Sequence, residues 1–282
     1  MTRYVLRDVE AMPVGAAVRD VWEAGAAYEA YVGRWSRSVA RELVAWLSVA
    51  PGGRWLDVGC GTGALAAAVV AGAAPAGVVA VDRSEGFVRH ARASLASAPV
   101  GFAVGDAASL PLSSSAFDAV VSGLVLNFVK EPPAMVAELA RVARPGGTVG
   151  VYVWDYAEGM QLMRCFWDAA KELDPGAAPL DEGARFQLCA PAPLRRLFEA
   201  AGLGSVATRA IEVETVFRDF DDCWSPFLGG QGPAPAYVMS LAEGRRSALR
   251  ELMRERLPAN EDGSIALTAR AWAVKGLRAP AR

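Results

Sequence analysis

Short apolar runs alternate with amphipathic stretches along most of this chain. Val39, Leu43, Trp46 and Leu47 recur at helical spacing within residues 36–49, and Pro51-Gly52-Gly53 ends that pattern. Arg54-Trp55-Leu56-Asp57-Val58 then reads as a short buried strand that runs into a glycine loop. Residues 64–71 predict a compact helix of small side chains, and residues 78–81 a second strand closed by Asp82. Ser84 is placed to cap a helix that turns Phe87, Ala91 and Leu95 inward. Further strands are expected at 101–104, 119–122 and 148–154. A helix opened by Pro132, with Met135, Leu139 and Val142 on one face, separates the last two. Strands alternating with helices at this spacing predict an α/β fold with a parallel, doubly wound sheet.

After residue 156 the pattern changes. Residues 157–204 read as helical, with a turn at Asp174-Pro175-Gly176 and a helix over about 193–201. Residues 206–217 and 265–274 are expected as two long strands. A helical insertion at about 219–257 lies between them, with Leu249, Leu252, Met253 and Leu257 facing inward on its last helix. This divides the chain into an N-terminal helical segment (1–50), a core (51–156) and a remainder with a helical cap (157–282).

Composition narrows the chemistry. The 282 residues are 53% apolar and 21% charged, with a formal net charge of −2. A core is easily built, and no basic field exists to hold a nucleic acid. Arg245, Arg246, Arg250, Arg254 and Arg256 interleave with Glu243, Glu251 and Glu255, the pattern of a solvated helix face. The single histidine, His90, excludes a His-rich metal site and falls mid-helix, away from the expected ligand edge. Cys60, Cys165, Cys189 and Cys223 form no C-x-x-C pair, so no metal site is expected and the thiols read as reduced, in a cytoplasmic protein. Residues 58–81 carry no charge, yet Gly59, Gly61, Gly63, Gly72, Pro75 and Gly77 break them up, so no membrane span is expected.

The string Leu56-Asp57-Val58-Gly59-Cys60-Gly61-Thr62-Gly63 carries the most information. Glycines in a strand-to-helix turn let backbone approach a ligand, and the helix N-terminus adds partial positive charge. Asp82 follows nineteen residues after Gly63, where a carboxylate can bond a ribose. A dinucleotide also fits, because Gly59, Gly61 and Ala64 match G-x-G-x-x-A. An NAD-type oxidoreductase is therefore an alternative, as is a non-catalytic nucleoside binder. Asp57 weighs against the first, since a carboxylate two residues before the loop repels a pyrophosphate but suits an amino group. Gly105-Asp106-Ala107, after the third strand, suits an adenine: Asp106 can accept from the exocyclic amine and the next N–H can donate to the ring.

With these residues in view, LDVGCGTG, VAVDRSEGF, VGDAASLPLSSSAFDAVVS and ARVARPGGTV resemble the successive motifs of class I S-adenosylmethionine-dependent methyltransferases. The similarity, over about residues 28–156, is to the ubiquinone/menaquinone C-methyltransferase-like (methyltransferase domain 11) group. It implies a Rossmann-like seven-stranded sheet with an antiparallel last strand, and S-adenosyl-L-methionine as cofactor. It also implies that Gly59, Gly61 and Gly63 pass the methionine part, with Asp57 at its ammonium, Asp82 at the ribose, and Asp106 with Ala107 at the adenine. Arg83 stands where the family has an apolar residue over the adenine, and Ser122 joins the cofactor set. In similar enzymes a segment like Tyr28-Glu29-Ala30-Tyr31-Val32-Gly33-Arg34 folds over the cofactor, which places Tyr28 and Arg34 near the carboxylate.

Methyl transfer from a sulfonium needs chiefly in-line placement, so no catalytic side chain is required. Where the acceptor must lose a proton, Tyr28, Asn127, Asp155 and Tyr156 are the candidates at the mouth. Trp154, Trp224 and Phe227 either wall an apolar or aromatic small-molecule acceptor or pack in the core. The acceptor itself is expected under the insertion, between Tyr28 and the 224–233 segment.

Overall fold

A computed structural model describes residues 33–229 and 232–280. Its sheet has seven strands: β1 (Arg54–Val58), β2 (Gly77–Asp82), β3 (Val100–Val104), β4 (Phe117–Gly123), β5 (Ala143–Trp154), β6 (Leu203–Phe217) and β7 (Ile265–Arg278). Their order is β3-β2-β1-β4-β5-β7-β6. The first five pair in parallel, and β7 runs antiparallel to both β5 and β6. The expected Rossmann-like architecture is the one observed. Strands in the middle of such a sheet are covered on both faces, which is why β1 and β4 read as apolar runs rather than as alternation.

Helices α1 (Arg34–Leu47), α2 (Ala64–Gly72), α3 (Glu85–Ser94), α4 (Pro132–Val142), α5 (Gln161–Leu173), α6 (Glu182–Arg185) and α7 (Pro191–Ala200) follow in the chain. A Cβ on Gly150 would stand 2.6 Å from Leu47 of α1, whereas one on Gly276 would stand 3.4 Å from Phe198 of α7. Gly276 pairs with Val149, whose side chain takes the face opposite to that of residue 150. The two helices therefore cover opposite faces. On α4, Met135, Leu139 and Val142 are fully buried, as their spacing predicts.

The last two strands are longer than the sequence pattern suggests, and their length matters. β5 stops at Trp154, opposite Ala271, which in turn faces Ile211. Beyond that row β6 and β7 continue as a two-stranded ribbon to Phe217 and Ile265. Six further residues rise about 20 Å above the sheet's carboxyl edge. The ribbon carries the insertion: α8 (Phe220–Trp224), α9 (Pro233–Ser240) and α10 (Glu243–Arg256). Phe227 stacks on Phe166 of α5 at 4.7 Å and 9°, and Trp224 leans on Phe227 at 5.8 Å. The cap thus has a small aromatic core of its own, seated on α5. Among the described residues no helix is long and apolar enough to cross a membrane.

Candidate active site

The carboxyl ends of β1, β2 and β4 converge on the glycine loop, and each glycine there has a different physical reason. Gly59 has φ +73°, and a Cβ on it would lie 2.4 Å from Val125 Cγ2, so the loop after β4 presses directly on it. Gly61 has φ +50° with nothing within 4 Å of its missing side chain, so this stretch of backbone faces open space. Gly63 has φ +92°, and a Cβ on it would lie 3.1 Å from Leu95 Cδ1 and 3.3 Å from Ala91 Cβ, so α3 packs closely against it. The loop is held from below by Gly59 and Cys60 amides donating to the Val81 carbonyl at 2.7 and 3.0 Å.

Asp57 is completely buried at the end of β1, and neither carboxylate oxygen has a hydrogen-bond partner. Burial pushes its pKa up to about 7, with the Ala66 amide opposing and the Asp82 carboxylate adding to the rise. A buried carboxylate without partners is expensive. Asp82 is also buried, but it accepts from the Gly61 amide at 2.9 Å and the Ser84 amide at 2.8 Å. Burial raises its pKa, and those amides pull against the rise. Each of its oxygens keeps a lone pair for a ligand. Asp82 thus ties β2 to the glycine loop, a task that its strand-end position did not reveal.

The remaining expected residues divide. Asp106 is exposed and one of its oxygens accepts from the Ala108 amide at 2.8 Å, so it shapes the turn after β3; Ala107 beside it is half-buried. Arg83 is exposed on the same edge, and His90 is exposed on α3. Ser122 is fully buried and donates to the Val58 carbonyl at 2.7 Å. Its hydroxyl proton is spent on joining β4 to β1, so it is not free to serve the cofactor as a donor. Tyr28 lies outside the described residues, as does the side chain of Arg34, which opens α1.

Four residues weighed for the mouth are used in pairing or packing instead. Asp155 is buried and accepts from Arg270 Nε at 2.7 Å, so it fastens the end of β5 to the ribbon. Trp154 is a core residue, 1% exposed, under the sheet edge. Trp224 and Phe227 are buried against other rings of the cap, so they wall no acceptor. Asn127 fares differently. It sits in a single turn after β4 (Leu126–Phe128), where its Nδ2 is buried without a partner. Tyr156 packs its ring on Phe186 at 5.3 Å.

Sequence reading missed the groups behind this wall. Glu182, in the charged stretch Asp181-Glu182-Gly183, is 2% exposed and accepts from Trp167 Nε1. Burial pushes its pKa up to about 7. Asp181 beside it holds Arg164 and Lys171. Burial works to raise its pKa, but the hydrogen bonds from Arg164 and the Gly183 amide outweigh it and leave it lowered. Among the described residues no cluster of His, Cys, Asp and Glu is arranged to hold a metal ion.

Comparison with known proteins agrees with this geometry. Residues 56–151 match the family model described as a methyltransferase domain. The demethylmenaquinone methyltransferase of Symbiobacterium thermophilum is 38% identical over 120 residues, which are 41% of this chain and 47% of that protein. The chain therefore spans about half the length of that curated relative. The phosphoethanolamine N-methyltransferase 2 of Haemonchus contortus, solved with phosphomonomethylethanolamine and S-adenosylhomocysteine, superposes with a TM-score of 0.56. The identity is 16%, over 91% of this chain and 57% of that one. The structure titled as the [4+2]-cyclase SpnF gives 0.51 at 23% identity, covering 86% and 81%. Residues 56–151 are thus similar to the methyltransferase domain family, and the seven-stranded sheet around them is the fold that these methyltransferase structures share.

Proposed function

We propose that this protein uses S-adenosyl-L-methionine to methylate a small molecule. The observation that carries the reading is Asp57: a fully buried carboxylate with both oxygens unpartnered, at the head of a glycine loop whose Gly61 faces open space. An ammonium is the complement such a group lacks, and S-adenosylmethionine has one while a pyrophosphate would be repelled. The residues present fit the cofactor. Asp57 would hold its ammonium, Asp82 its ribose with the lone pairs left after Gly61 and Ser84, and Asp106 with Ala107 its adenine. Arg83 would lie beside that adenine. Bound there, the cofactor would supply an electrophilic methyl group on a positively charged sulfur.

The chain's own residues do the positioning. The loop is braced by Asp82 below and Val125 above, so its backbone is set before a ligand arrives. A proton lost by the acceptor can pass to solvent, and no side chain is assigned as base. In this reading residues 51–156 form the cofactor-binding core, and the protein works in the cytoplasm. The test is calorimetric titration with S-adenosylhomocysteine and with NAD, followed by transfer of a labelled methyl group to an acceptor library. Tight NAD binding would favour the oxidoreductase alternative. The SpnF structure is titled a cyclase on the same fold, so only the labelled product separates methyl transfer from binding alone.

A further inference from the structure

We propose that Glu138 and Arg141 of α4 are positioning residues for the adenine end of the cofactor site. Together they set the loop that carries Asp106 and Ala107, and so decide how strictly a purine is read. This deepens the S-adenosylmethionine reading above and rests on it.

The chain between β3 and β4 needs holding. Residues 105–116 cross from the edge of the sheet past β2 and β1 to β4, with no helix or strand of their own. Long loops of this kind are uncommon unless they are used or tied down. Asp106 accepts from the Ala108 amide at 2.8 Å through its side chain and from the Ser109 amide at 3.1 Å through its carbonyl. Those bonds fix the shape of a local turn, but not its place on the sheet edge.

That place comes from α4. The Leu110 amide donates to Glu138 Oε2 at 2.7 Å, while Arg141 Nη2 donates to the Leu110 carbonyl at 3.1 Å. Arg141 Nη1 donates to the Leu112 carbonyl at 2.9 Å and to Ser114 Oγ at 3.1 Å. The two side chains are joined to each other as a fork, Arg141 Nε to Glu138 Oε1 at 2.6 Å and Nη2 to Oε2 at 2.8 Å. Arg141 also keeps the Glu138 carboxyl below its ordinary value, so the fork stays charged at neutral pH. Among the described residues, every hydrogen bond from 106–114 to another element runs to this pair. A guanidinium that meets a carboxylate bidentately and three further acceptors at once has a geometry that lysine lacks.

The hold reaches Asp106 through Pro111. Pro111 lies between the held residues Leu110 and Leu112, and its ring packs on Gly105, where an added Cβ would stand 2.9 Å from Pro111 Cδ. The Gly105 amide donates to the Asp82 carbonyl at 3.0 Å. Asp106 is therefore fixed from β2 on one side and from α4 on the other. Its remaining oxygen and the Ala107 N–H are the pair that an adenine edge would meet. A hypoxanthine edge offers oxygen in place of the amine and an N–H in place of the bare ring nitrogen, so it mispairs with both. That mispairing is costly only while the loop is held, because a loose loop can turn away from it.

The experiment titrates the full chain calorimetrically with S-adenosylhomocysteine and with S-inosylhomocysteine. The unchanged chain should prefer the adenine form by about tenfold. Glu138→Ala and Arg141→Ala should each cut that preference to about threefold or less, and the double variant should go little further, because the two side chains act as one fork. Arg141→Lys, the milder change, should lower it part of the way. Loss of folded protein lowers both affinities alike and leaves their ratio unchanged, so the ratio separates positioning from stability. An undiminished preference in both alanine variants, or in Arg141→Lys where those do not fold, would overturn the proposal. So would an unchanged chain that binds both ligands equally. The same loss seen with NAD against its hypoxanthine analogue, in a chain that binds no S-adenosylhomocysteine, would uphold the fork and defeat the methyl-transfer reading. A chain that binds none of these ligands would overturn both.

Discussion

Asp57 and Asp155 both end strands of the same sheet and both are buried, yet they are treated in opposite ways. Asp155 has Arg270 against it, with a further amide bond from Glu158 at 3.1 Å. Asp57 has nothing. The contrast extends to their surroundings. Around Asp155 the ribbon, α5 and cap pair their acids with arginines and stack their rings, although Trp154 Nε1 and Arg164 Nε stay without partners. Around Asp57 the glycine loop, the β4 exit and Asn127 leave polar atoms unmet. A buried carboxylate that is paired holds the fold, whereas one left unpaired at a glycine loop calls for a cation from outside.

This contrast can be broken by substitution. The largest effect should come from Arg270→Ala, which leaves Asp155 buried without its partner and should cost about 3–5 kcal/mol of stability. Denaturant unfolding would read it as a lower midpoint, with cofactor affinity of the folded fraction retained. Equal stability would mean that the Asp155 pair is ornamental. Asp57→Asn should behave in the opposite sense. It should weaken S-adenosylhomocysteine by about ten- to a hundredfold, a loss of about 1.5–3 kcal/mol, while raising the stability of the free protein near pH 8.

The sign of that stability change follows from protonation. Burial raises Asp57 and Glu182 to about 7 in the folded chain, from ordinary values near 3.8 and 4.5. Between those limits the folded state holds protons that the unfolded state has released, so stability falls as pH rises from about 4 towards 7. Asp57→Asn and Glu182→Gln should each flatten part of that fall, which melting curves across pH would show. A slope unchanged by both would remove the electrostatic account. The smallest effect is expected from Ser122→Ala, which loses one buried hydrogen bond worth about 1 kcal/mol. Its cofactor titration should match that of the unchanged chain. A large drop in affinity would restore Ser122 to the binding set.

Most of the sheet was legible because buried parallel strands are apolar runs, punctuated by Pro and Gly. Ser84 was equally legible: its side chain accepts from the Phe87 amide at 3.3 Å, as its place before a helix predicts. Strand ends were less so. Residues 144–147, Arg-Pro-Gly-Gly, have the composition of a helix stop, although β5 already runs through them. Partnership was not legible at all. Nothing local distinguishes Asp57 from Asp155, because the difference lies in Arg270, 115 residues further on. Trp224 and Phe227 looked like lining residues for a similar reason: their partner Phe166 sits on α5, about sixty residues earlier. Nothing local marks Glu182 as buried either, because the donor it meets is Trp167, fifteen residues earlier.

The central claim is that Asp57 waits for an ammonium, and proton release tests it most directly. S-adenosylhomocysteine would be titrated calorimetrically at pH 6 in two buffers of different ionisation enthalpy. At that pH free Asp57 is mostly protonated, and an ammonium beside it would favour the carboxylate. The account predicts release of about one proton per ligand bound by the unchanged chain, and almost none by Asp57→Asn. Binding without proton release, or the same release from Asp57→Asn, would contradict it.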